Sequence, residues 1–150
     1  MTIDELIAKL NEATSSSFFN YSQVKKIENC GLYLIYQDNQ IIYVGKTDRN
    51  GKVRLRELAA DYRSHTLNRK LLHSVLNNHL KQELPPLNKE SKHRLISGGL
   101  ILESDFLNLQ AQINYQIRNH LKFQFYHIEG KDLLRLEHFA IAVLNPKMND

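Results

Sequence analysis

Apolar residues recur along this chain with two different periods. Ile3, Leu6, Ile7 and Leu10 fall on one helical face behind the capping-box pattern Thr2-x-x-Glu5, which predicts a helix over 2–13. Ser15-Ser16-Ser17 breaks it, and 14–29 reads as a connecting loop. Two short runs of strand-forming residues follow, Gly31 to Tyr36 and Ile41 to Val44. They predict a hairpin with four linking residues, Gln37 to Gln40, Asp38-Asn39 as its turn pair and Gly45 closing it. Helical spacing then returns at Leu55, Leu58, Ala59 and Tyr62, predicting a helix over 52–62. Leu67, Leu71, Leu72, Val75, Leu76 and Leu80 predict another over 66–82, ended by Pro85-Pro86. The polar stretch 87–103 reads as a loop, with 100–102 as a short strand. Phe106, Leu109, Ile113 and Ile117 predict a helix over 105–120, Phe123 to Ile128 a strand, and 132–144 a last helix stopped by Pro146.

This order predicts an α+β fold. A small antiparallel sheet, the hairpin 31–36/41–44 plus a strand near 123–128, is flanked by helices. No internal repeat and no dividing linker is visible, and 150 residues suits a single domain over 1–150.

Composition narrows the class. With 42% hydrophobic and 24% charged residues, the chain is neither disordered nor a collagen or coiled-coil rod. The single cysteine, Cys30, excludes a disulfide within the chain and a cysteine-based zinc site, and reads as a buried thiol at a strand start. No apolar run reaches the ~18 residues of a membrane span. The acidic, then amphipathic start does not resemble a signal peptide, so a reducing, cytoplasmic setting is expected.

Charge matters once it is located. Between Lys46 and Lys70 stand eight basic residues against three acids, a net +5 in a chain of net +4. The rest is near neutral, so this window is a candidate footprint for a polyanion. Lys89, Lys92, His93 and Arg94 form a second basic run in the predicted loop, read as an ordinary exposed loop before a DNA contact.

Gly31-Leu32-Tyr33 and, about ten residues on, Tyr43-Val44-Gly45 resemble the paired signature of the GIY-YIG nuclease superfamily. Lys46 and an arginine-bearing helix follow in the expected order. Near the C-terminus Glu137 is followed nine residues later by Pro146 and twelve later by Asn149. That pattern resembles the end of the superfamily's catalytic domain, as in the excision-repair excinuclease and in GIY-YIG restriction and homing endonucleases. The resemblance spans roughly 31–76 and 123–149, leaving an extra N-terminal helix and an insertion around 77–122.

The resemblance implies a nuclease that hydrolyses DNA phosphodiesters with a divalent ion, Mg²⁺ or Mn²⁺. It implies Tyr33 as the general base, Tyr43 shaping the site or orienting water, Glu137 as the metal ligand and Arg54 as the phosphate-binding arginine. The residue chemistry agrees. Such a reaction needs a proton acceptor, an aligned water and charge neutralisation on the phosphate. A phenol of pKa about 10 is a poor base at neutral pH; Lys46 just beyond the hairpin is expected to supply a neighbouring ammonium. Glu137 stands in an otherwise apolar helix, where a buried carboxylate needs a partner. One carboxylate suits Mg²⁺, which keeps several waters.

Arg54 lies nine residues after Gly45, one further than is common in the superfamily, and Arg56 remains its rival. The superfamily's Arg-x-x-x-His is absent, since Leu58 and Ala60 occupy the fourth places. His65 is the alternative histidine, either touching a phosphate oxygen or solvated beside a capping Ser64 or Thr66. Asn149 is expected to bond around the active-site water or to brace Glu137. Gly45, Lys52, Arg56 and Arg63 are expected to contact substrate. DNA is the expected partner and RNA stays open. Specificity is expected from the segments outside the motif, a second copy of the chain, or a protein partner. A non-catalytic nucleic-acid-binding module of the same fold is the alternative reading.

Overall fold

The computed structural model describes residues 1–149 of this chain. The fold is α+β, with a three-stranded antiparallel sheet and several helices. Among the described residues no helix is long and apolar enough to cross a membrane. The chain divides into two compact units: Met1–Arg56 with the described residues from Arg118 onward, and Glu57–Ile117.

In the first unit, α1 (Ile3–Thr14) begins with the predicted capping box: Thr2 accepts from the Glu5 amide, and Glu5 reaches back to Thr2. The strands β1 (Gly31–Gln37), β2 (Gln40–Thr47) and β3 (Lys122–His127) pair in the order β2-β1-β3. Leu32, Leu34 and Val44 share one sheet face. They pack on Leu6, Leu10 and Ala13 of α1 and on Leu133, Leu136 and Ala140 of α6 (Gly130–Leu144). Side chains alternate along a strand, so Tyr33, Ile35 and Tyr43 occupy the other face beside Phe123 and Phe125. A 3-10 segment, Tyr21–Lys26, sends Tyr21 toward Phe123, and α2 (Gly51–Arg56) docks nearby through Gly51 N–H to Asn29 O and Lys52 N–H to Ile27 O.

The hairpin is tighter than predicted. Asp38 and Asn39 both adopt positive φ, 50° and 65°, which makes a two-residue primed turn instead of a four-residue link. The register shifts between Ile35 and Tyr36. Gly45 does not close β2, which runs on to Thr47. Cys30 is only half-buried, its thiol directed at Ile128 O.

The predicted helix over 52–62 is not continuous. It ends at Arg56, and Glu57–Ala59 opens the second unit as a 3-10 turn. The cause is a buried amide cluster within that unit. Asn68 donates to Leu58 O at 2.7 Å, Asn114 donates to Ala60 O at 3.2 Å, and Gln110 accepts from Tyr62 N–H at 2.9 Å. Side chains thus satisfy backbone groups that a longer helix would pair internally.

The other helices of this unit are α3 (Thr66–Leu80), α4 (Ser91–Ser97) and α5 (Glu103–His120), the last running into the first unit beyond Ile117. α3 stops before the proline pair, at Lys81 in the left-handed region. α4 replaces part of the predicted loop. No strand forms over 100–102, because Gly99 at φ 74° turns the chain and Leu100 N–H returns to Leu95 O.

Candidate active site

Tyr33 occupies the centre of the first unit's candidate site, on the middle strand opposite Gly45. A Cβ on Gly45 would overlap Cζ and Oη of the Tyr33 ring. The missing side chain therefore lets the phenol lie across β2. Tyr43, diagonal to Tyr33 on the same face, stacks on it with ring centroids 6.3 Å apart and planes 28° apart.

The Tyr33 hydroxyl is hydrogen-bonded with Arg54, on the docked helix α2. Arg56 is exposed, and its carbonyl accepts from the Tyr21 hydroxyl. Of the two candidate arginines, Arg54 is the one joined to Tyr33. Burial pushes the Tyr33 phenol well above its ordinary pKa, and Tyr43 and Glu137 push the same way. The Arg54 charge and hydrogen bond oppose them without reversing the shift. Tyr33 is therefore a neutral phenol across the physiological range.

Lys46 does not perform the part expected of it. It pairs with Leu32 in the register, so it leaves the sheet on the face opposite Tyr33. Its ammonium bonds Asp48 at 3.0 Å and acts on Glu137 instead. Arg54 is the cation that acts on Tyr33.

Glu137 lies half-buried in α6, one helical turn from the core residues Leu133 and Ala140. Burial raises its pKa; Lys46 and His138 oppose this, and Asp48 adds to it. Among the described residues no three His, Cys, Asp or Glu side chains form a group that would cage a metal. A single half-buried carboxylate, with a second carboxylate acting on it, fits a hard cation that keeps most of its water. It does not fit a transition-metal cage.

Asn149 is placed differently from expectation. Among the described residues its side-chain amide engages Val44 alone, accepting from the N–H at 2.8 Å and donating to the C=O at 2.7 Å. Met148 N–H donates to Ile42 O at 3.0 Å. The tail thus adds to the free edge of β2 next to Gly45. The physical reason is plain: an edge strand presents unpaired N–H and C=O groups, and a carboxamide matches both.

The expected substrate contacts differ in kind. Gly45 is buried beneath the Tyr33 ring, so its part is to make room. Lys52 is half-buried, 3.9 Å from Glu28. Arg63 and His65 belong to the second unit. His65 is buried and caps α3 itself, Nδ1 accepting from Leu67 N–H at 2.9 Å, rather than standing solvated beside a capping Ser64 or Thr66. Sequence reasoning missed Asp48 as the partner of Lys46; its spacing of two residues was the available signal.

No protein-family model matches the chain, and no curated protein or solved structure was found to be similar to it.

Proposed function

We propose that the chain is a divalent-metal-dependent endonuclease of the GIY-YIG kind, hydrolysing DNA phosphodiester bonds. One observation carries the reading: the Tyr33 phenol, cleared by Gly45, is bonded with Arg54, and Glu137, whose helix packs on the other face of the sheet, acts on it weakly through charge. A proton-accepting oxygen, a forked phosphate-binding cation and a carboxylate are what the reaction asks for.

In this reading Arg54 binds the scissile phosphate and favours the phenolate of Tyr33; the phenol first loses its proton to solvent, and the phenolate then takes one from the attacking water. Tyr43 holds the Tyr33 ring by stacking. Asn149 fixes the β2 segment on which that ring lies. Glu137 would hold Mg²⁺ or Mn²⁺, with Lys46 and Asp48 setting its charge; the ion would supply positive charge for the phosphate and the leaving oxygen. The neutral state of Tyr33 in the free protein favours a second reading, a nucleic-acid-binding module without cleavage.

Incubation with labelled duplex, single-stranded and branched oligonucleotides in Mg²⁺, Mn²⁺ or EDTA separates the two. Cleavage that needs the ion supports the nuclease. Binding without cleavage in every ion supports the module.

A further inference from the structure

The second unit carries charge that the candidate site does not use. It contains seven Lys or Arg against six Asp or Glu, so it is nearly neutral overall. Its cations are nevertheless segregated. Two hollows of about 230 and 290 Å³ share Arg63 and Lys89 along their walls. Lys92 and His93 complete one, Arg69 the other, and Glu103 is the only acid lining either. Four of the unit's seven full cations therefore meet at one composite groove.

The groove is preformed. The Tyr62 hydroxyl donates to Lys89 O at 3.2 Å and accepts from Lys92 N–H at 3.3 Å, pinning the backbone between those lysines. The Arg63 guanidinium lies over the Tyr62 ring, 5.3 Å from its centroid, and bonds Asp61 at 3.0 and 3.3 Å. The Lys92 ammonium lies 6.0 Å from the Phe106 centroid. Burial would raise the Asp61 carboxyl, yet Arg63, aided by Lys92, holds it below the usual carboxylate range. Asp61 thus remains ionised and orients Arg63. Lys89 is exposed, and its ammonium has no side-chain partner among the described residues.

We infer that this groove, with Arg63, Arg69, Lys89 and Lys92 as its cations, binds the phosphate backbone of a polynucleotide. The inference deepens the nuclease reading by giving the second unit a substrate-holding part, and it rests on that reading for the choice of polyanion. Cations in adjoining hollows suit a chain of regularly repeated phosphates, and the holding of Arg63 and Lys92 lowers the ordering cost of binding. Such contacts position a strand without reading its sequence.

The test is binding of a labelled duplex and a labelled single strand, by fluorescence anisotropy in EDTA, across a salt series. Lys89→Glu/Lys92→Glu is compared with Lys9→Glu/Lys131→Glu, which changes net charge equally at positions outside the groove. The groove variant should lose about tenfold or more in affinity, and its salt slope should fall by about two units. The control should lose about threefold or less, with a slope change under one unit. Lys89→Ala, an exposed truncation that leaves the fold alone, should lose affinity in the same direction with melting unchanged. Equal losses in the groove and control variants would overturn the inference, as would a parent protein that binds neither strand. Cleavage by the parent in Mg²⁺ is scored separately. Cleavage with equal losses keeps the nuclease and rejects the groove; a groove-specific loss without cleavage does the reverse.

Discussion

The ring of Tyr33 lies across Gly45, its partner in the β1–β2 register, at the place where any other residue would put a Cβ. The second glycine of the paired motif is thus a steric requirement of the first tyrosine. Gly45→Ala should cost about 1–3 kcal/mol, the range for overpacking a filled site. A double-mutant cycle with Tyr33→Ala checks it: once the ring is removed, Gly45→Ala should become nearly neutral. Additive losses in thermal melting would show that the two residues do not meet.

Asn149 should matter for stability as well as for activity. Asn149→Ala removes two hydrogen bonds to Val44, each worth about 0.5–1.5 kcal/mol net, so a loss of about 1–3 kcal/mol is expected. Asn149→Asp should not restore the parent, because a carboxylate cannot donate to Val44 O. Hydrogen exchange at the Val44 amide should accelerate in Asn149→Ala, which removes its acceptor; unchanged protection in that variant would contradict the pairing.

Much of this was legible in the sequence, and the failures have a common origin. The hairpin, the final helix and the positions of Tyr33, Tyr43, Gly45 and Glu137 follow from local pattern and motif spacing. Lys46 was misassigned because its sheet face depends on the register with Leu32, which tripeptide spacing does not reveal. The break at Arg56 depends on Asn68 and Asn114, residues distant in sequence whose amides take the Leu58 and Ala60 carbonyls. Asn149 was expected at the active-site water or at Glu137, whereas its carboxamide engages the Val44 backbone, a pairing that depends on the free edge of β2. The cationic groove of the second unit joins Arg63 and Arg69 to Lys89 and Lys92 across a whole helix, and no window along the chain shows it.

Burial holds the proton on Tyr33 in the folded state beyond its ordinary pKa of 10.0. The sign follows: this group stabilises the fold below about pH 10 and loses that contribution as pH rises further. Parent and Tyr33→Phe should therefore converge in stability above about pH 10 if the phenol hydrogen bond favours the parent at neutral pH. Melting curves from pH 7 to 11 (conditions chosen around the ~10 reference of) would contradict this if their separation stayed constant. In cleavage, Tyr33→Phe should lower single-turnover rates by roughly 10²-fold while affinity hardly moves.

Glu137 has its pKa raised by burial, so its carboxylate is lost at a higher pH than an ordinary glutamate on acidification. Metal-dependent cleavage should fall on the acid side with that titration, and added Mg²⁺ should shift the fall to lower pH. A rate independent of both pH and Mg²⁺ in that range would remove Glu137 from the metal site.

Under the proposed function Glu137 and Tyr33 act in one hydrolytic site. Glu137→Gln keeps the size of the side chain and removes its charge. Single-turnover cleavage of a labelled duplex in Mg²⁺, measured beside affinity in EDTA, tests that claim most directly. Cleavage should be abolished while affinity stays within about threefold, since nucleic-acid affinity comes chiefly from Lys and Arg contacts to phosphates. A folded Glu137→Gln protein that cuts at the parental rate would contradict it.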